Sequence, residues 1–128
     1  MQEQHVFEYA VLRVVPRVER EEFVNAGVIV LCRAKGFLQV HLNLPETKLR
    51  ALANDQLDLT DLHERLRSFE RICRGRPDGG PIGQLSLAER FRWLTAQRST
   101  VVQTSPVHPG LCNDPAATLE QLFHQLVL

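Results

Sequence analysis

The chain has no excess of charge of either sign. Its 128 residues hold 15 basic and 15 acidic side chains. A general nucleic-acid binder rests on a net positive surface, so the balance argues against that class. Cysteine is scarce: Cys32, Cys73 and Cys112 stand about forty residues apart, and none forms a CxxC. An odd count at that spacing excludes a disulfide framework and a cysteine-built zinc site. No apolar run reaches the about eighteen residues that a membrane span requires. The start, MQEQHVFEY, lacks the basic and apolar regions of a signal peptide. A reducing, cytoplasmic setting is therefore expected. There is no GxSxG elbow and no glycine-rich cofactor loop, so no catalytic residue, metal or cofactor is assigned from motifs.

What is present is the composition of a globular domain. Hydrophobic residues make up 44%, and a chain of this length buries about two-thirds of its surface on folding. One domain over residues 1–128 is expected. Thirteen of the basic residues are arginine, which suits ion pairs and bidentate contacts. Residues 65–98 carry eight arginines against three acids, a local net charge of +5.

The pattern along the chain predicts an α+β fold: a small, mainly antiparallel sheet of about four strands with three to four helices packed on it. HVFEYAVLRVV, residues 5–15, is apolar on both faces and reads as a central strand ended by Pro16. Residues 17–24 predict a helical turn. VIVLC is a second buried strand, and Arg33-Ala34-Lys35-Gly36 a hairpin loop with Gly36 suited to positive φ. FLQVHLNL alternates, with Leu38, Val40, Leu42 and Leu44 facing in and Gln39, His41 and Asn43 facing water. A short helix over Glu46–Asn54 precedes a longer one opened by Asp58. That helix has Leu62, Leu66, Phe69, Ile72 and Cys73 on one stripe and Arg67, Arg71 and Arg74 opposite. RGRPDGGPIG predicts a flexible loop near 74–84. Ser86 with Glu89 marks a capping box, STVVQT a fourth strand and SPVHPGLCNDP a proline-rich loop. Asp114 followed by Pro115 opens the last helix.

Two blocks, YAVLRVVPRVEREEFVNAGVIVLCR from Tyr9 to Arg33 and AERFRWLTAQRSTVVQTSPVHPGL from Ala88 to Leu111 with DPAATLEQLF after it, resemble a bacterial family. It is the domain-of-unknown-function family numbered three thousand and thirty-seven. The first block carries R-x-x-P, then Arg20, Glu22, Asn25 and Gly27 before an apolar strand. Ala26 stands where larger apolar residues are common. The resemblance covers nearly the whole chain and implies no established activity. Through association with HipA-like kinases, it implies an accessory role beside a protein partner.

Three groups of polar residues merit weighing. Arg13 lies inside an apolar strand, and a buried charge needs a partner. Glu22 is the expected one, as a structural ion pair. The alternative is an anion-binding corner of Arg13, Arg17 and Arg20. Asn25 and Gly27 read as turn and bulge residues. The second group is Arg98, Ser99, Thr100, Gln103, Ser105 and His108. A Ser105–His108 nucleophile pair lacks an orienting group and an oxyanion hole. His41, His108 and Cys112 are possible metal ligands, but Pro109-Gly110 breaks any regular spacing. A hydrogen-bonded loop lining a shallow groove is the simpler reading. The third group is the Arg67, Arg71, Arg74 stripe, read as a solvated face with Glu64 and Glu70 as ion-pair partners, and alternatively as a phosphate contact.

The leading functional expectation is an accessory or protein-interaction module without catalytic activity. The alternative is a nucleic-acid-associated module of a defence, mobile-element or toxin-related system. An enzyme of unrecognised type using the Arg98/His108 region comes third.

Overall fold

The computed structural model describes residues 3–53 and 57–128. Among these residues five strands form one antiparallel sheet: β1 His5–Val14, β2 Val24–Cys32, β3 Phe37–Leu42, β4 Val102–Thr104 and β5 His108–Cys112. The order is β3-β2-β1-β4, with β5 also pairing with β1. β4 lies against Leu12–Val14 and β5 against His5–Tyr9. The two short strands thus run in line along one side of β1, opposite β2. The proline-rich segment read as a loop is this fifth strand. Its Pro109 is tolerated because the strand is an edge.

The break between β4 and β5 falls at Ser105-Pro106. The ladder is bridged there by one residue. Ser105 N–H donates to the Val11 carbonyl at 2.8 Å, and the Val11 N–H donates to the Ser105 hydroxyl at 2.8 Å. The hydroxyl takes over an acceptor's place where proline interrupts regular pairing. It donates in turn to the Pro106 carbonyl at 2.9 Å.

The described residues form five helices: α1 Glu46–Ala53, α2 Leu59–Arg74, α3 Gly80–Gly83, α4 Leu87–Leu94 and α5 Pro115–Leu126. The expected last residue of α1, Asn54, lies outside the described residues. α1, α2 and α4 bury Leu49, Leu62, Leu66, Phe69, Phe91 and Leu94 against Ala10, Leu12, Val14, Ile29 and Leu31. On the other face α5 packs Leu119 over Phe7, Val28, Val30, Cys32 and Cys112. Each such leucine contributes about 1.5–3 kcal/mol relative to exposure. The two-faced apolar pattern of β1 and β2 therefore reflects helices on both sides. β3 departs from its reading: Gln39 is exposed, but His41 is half-buried, its ring 5.5 Å from that of Phe123 in α5. Alternation identified the two faces of β3, but not which helix would close the polar one.

Local signals account for the element ends. Asp58 accepts from the Asp61 N–H at 3.0 Å, and Asp114 from the Ala116 N–H at 3.1 Å. The Ser86 hydroxyl accepts from the Glu89 N–H and donates to the Glu89 carboxylate at 2.7 Å. Gly36 closes the β2–β3 turn at φ 58°. The Gly/Pro stretch holds a 3-10 turn, Pro77–Gly79, followed by α3. Arg90 of α4 ties this region together. It donates to the carbonyls of Ile72 at 2.9 Å, Cys73 at 2.8 Å and Leu85 at 3.1 Å, satisfying the open end of α2. No helix among the described residues is long and apolar enough to cross a membrane.

Candidate functional site

Arg13 enters its position through a β-bulge. The β1–β2 register jumps from Leu12↔Gly27 to Arg13↔Asn25, leaving Ala26 as the extra residue. Gly27 is needed beside it, because a Cβ there would lie 2.7 Å from the His41 carbonyl oxygen. Asn25 donates from Nδ2 to the Leu126 carbonyl at 2.9 Å, holding the end of α5. Arg13 is the register partner of Asn25 in the β1–β2 pair. The bulge role expected for Asn25 and Gly27 is thus joined by a helix-capping one.

The expected Arg13–Glu22 pair does not form. Glu22 pairs with Arg20, and both are exposed. That carboxylate raises the Arg20 pKa, first through the hydrogen bond and then through its charge. Arg13 instead lays its guanidinium over the Phe23 ring, 4.2 Å from the centroid. Glu22 and Phe23 both precede β2, and the Phe23 ring is the one that lies against Arg13. The Arg13 Nε–H is buried and has no acceptor among the described residues, a state costing about 1–3 kcal/mol.

Arg13 lines a groove of about 590 Å³ with Thr95, Gln97, Arg98, Ser99, Gln103, Thr104, Ser105 and Pro106. A contiguous depression of about 350 Å³ shares Arg13, Arg98, Ser99 and Gln103 and adds Val15, Val18, Glu21 and Phe23. Arg98 is fixed by its own set of contacts. It donates to the Leu94 carbonyl at 3.1 Å and the Trp93 carbonyl at 2.6 Å, at the C-terminal end of α4, where a cation is favoured. Its guanidinium lies 4.5 Å from the Trp93 ring centroid. Partial burial lowers its pKa. Both rings are open to solvent, Phe23 at 45% and Trp93 at 42%. Gln103 faces Arg13 across the β1–β4 pair and donates to the Thr100 carbonyl at 2.9 Å.

The structure thus brings Arg13, Arg98, Gln103 and Ser105 together. Arg17, Arg20, Glu22, Asn25 and His108 do not line the groove. Ser105 is 4% exposed, and its hydroxyl is held by the Val11 and Pro106 backbone. His108 is on β5, its ring 5.4 Å from that of Tyr9, so the supposed nucleophile and base do not meet. His41 and His108 make separate ring contacts, on Phe123 and Tyr9. Among the described residues no three His, Cys, Asp or Glu side chains are placed to hold a metal ion. Burial, and then the adjacent Cys32, push the Cys112 thiol up.

On α2 the basic stripe is largely paired. Arg71 binds Glu64 at 2.7 Å, and Arg74 approaches Asp78 at 3.8 Å. The Arg71 hydrogen bond, then its charge, lowers the Glu64 pKa, with Arg67 adding a smaller pull.

Sequence reasoning missed Phe23 and Trp93. Trp93 stands off the Leu87, Phe91, Leu94 face of its helix, next to Arg92, whereas Phe23, between Glu22 and Val24, carried no such signal. Fold and site together define an α+β domain with a helix layer on each sheet face and an arginine groove beside β4. The sequence profile of the family described as protein of unknown function (DUF3037) matches residues 9–127, and the chain belongs to that family. No curated protein and no solved structure matches it.

Proposed function

We propose that the chain is a single-domain, non-catalytic interaction module that engages a protein partner through the surface around the Arg13–Arg98 groove. One observation carries this reading: two arginines lining one groove are each stacked on a half-exposed aromatic ring, Arg13 on Phe23 and Arg98 on Trp93. Arg, Trp and Phe are enriched in protein interfaces, and Trp and Arg also among their energetic hot spots. Ordered side chains lose little freedom on binding. The groove's chemistry is that of holding rather than transforming, with cations and neutral hydrogen-bonding groups along its wall. A bacterial accessory role beside a HipA-like kinase is the first partner to test.

The test is co-purification from the native host using the intact chain and a Phe23→Ala/Trp93→Ala variant. The wild type should retain a stoichiometric protein that the variant loses while keeping its melting temperature. Equal retention by both would place the interface elsewhere.

A further inference from the structure

We infer that the open edge of β3 pairs with β3 of a second copy of this chain, joining two sheets into one about a two-fold axis at Val40. The inference is independent of the groove reading.

The sheet ends in two unlike edges. On one side β1 carries only β4 and β5, which are short, with Pro106 between them and Pro109 within β5. Short strands and prolines blunt an edge against further pairing. On the other side lies β3, which pairs with β2 alone. It holds no proline and no Lys, Arg, Asp or Glu. Its register with β2 runs from Cys32↔Phe37 to Gly27↔Leu42 without a bulge. A groove of about 390 Å³ beside residues 36–40, walled by Glu70, Cys73 and Arg74 of α2, leaves this edge open to approach.

The ladder decides which groups stand on the edge. The Asn43 N–H donates to the Ala26 carbonyl at 2.8 Å. Hydrogen-bonded positions alternate along an antiparallel pair, so His41, Gln39 and Phe37 also turn their amides and carbonyls to β2. Leu38, Val40 and Leu42 turn theirs outward, and no described strand answers them. The side chains of these same three residues share one face, against the larger core cluster.

A second copy fits because the edge is complementary to itself. With Val40 opposite Val40 of the other copy, Leu38 falls opposite Leu42, and each facing pair exchanges two hydrogen bonds. Facing residues then share a sheet face, and a slip of one residue would lose both matches. On the α5 face, the exposed Gln39 falls opposite the half-buried His41 of the other copy. Charge agrees with the register: the exposed Lys35 comes level with Pro45 of the other copy, one residue from its exposed Glu46. Because β3 and β4 lie at opposite ends of the strand order, the dimer leaves the Arg13–Arg98 groove open on both copies and presents it twice.

The experiment uses the full chain. At about 0.1 mM it should sediment at twice the monomer mass. At that concentration the Leu38, Val40 and Leu42 amides should resist hydrogen exchange, and they should lose that protection on dilution to the monomer. The Phe37, Gln39 and His41 amides, bonded to β2, should stay protected throughout. Val40→Pro removes an outward N–H without touching the β2 ladder. It should weaken association at least about tenfold with an unchanged circular dichroism spectrum. A wild-type monomer at about 0.1 mM overturns the inference. So does a dimer whose Leu38, Val40 and Leu42 amides exchange as fast as in the monomer, which would place the contact elsewhere, as at the exposed Val6 and Leu111. Both outcomes are read on the wild type, whether or not the variant folds.

Discussion

Replacing Ser105 with alanine tests whether this residue is an element of the sheet or a free nucleophile. The substitution deletes one oxygen with two duties: it accepts from the Val11 N–H at 2.8 Å and donates to the Pro106 carbonyl at 2.9 Å. Val11 is 7% exposed, and Ser105 4%, so water has poor access to the amide left behind. An unsatisfied buried donor costs about 1–3 kcal/mol. The lost Pro106 contact is local and adds little. Destabilisation of about 2 kcal/mol is expected. With a urea dependence of about 2 kcal/mol per molar, the unfolding midpoint falls by about 1 M. Hydrogen exchange at the Val11 amide should quicken while that at Ala10 and Leu12 changes less. A midpoint within error of wild type, with Val11 still protected, would refute the reasoning, because the amide would then have another acceptor.

Arg90→Gln removes a guanidinium that serves three backbone carbonyls and should cost about 2–3 kcal/mol by urea titration. Gly27→Ala places a Cβ 2.7 Å from the His41 carbonyl oxygen and 2.8 Å from a Leu42 methyl; β3 must shift, at a cost of about 1–3 kcal/mol in the same assay. Changing Arg67, Arg71 and Arg74 together to Gln should leave the midpoint within error of wild type, because Arg67 is exposed and so are the partners of Arg71 and Arg74. Burial pushes the Cys73 thiol up to about 12, above its unfolded value. The folded state then holds a proton that the unfolded state releases, so stability falls as pH rises between about 9 and 12. Cys73→Val should lessen that alkaline decline, and Cys73 should resist iodoacetamide at pH 8 until urea is added.

Much of the frame was legible in residue order. Period-two alternation and β-branched runs marked β1, β2 and β3. Asp58, Ser86 and Asp114 marked three helix starts, because capping is a contact between a side chain and a backbone group two or three residues away. The apolar faces on both sides of β1 required two covering layers, and α5 supplies the second. Interactions of that range are written in sequence. The short strand β5 was not, since a proline and a glycine in five residues give no alternation, and pairing with His5–Tyr9 is what makes it a strand. The groove was half legible. Arg13, Arg98, Gln103 and Ser105 were singled out by type, yet the partner assigned to Arg13 was wrong. A buried charge announces that it needs company, but which side chain arrives depends on a bulge at Ala26 and on a ring at Phe23. Residues 85 positions apart, Arg13 and Arg98, line one wall only because β4 lies beside β1. Local spacing determined the elements, and long-range pairing alone decided which arginines stand together.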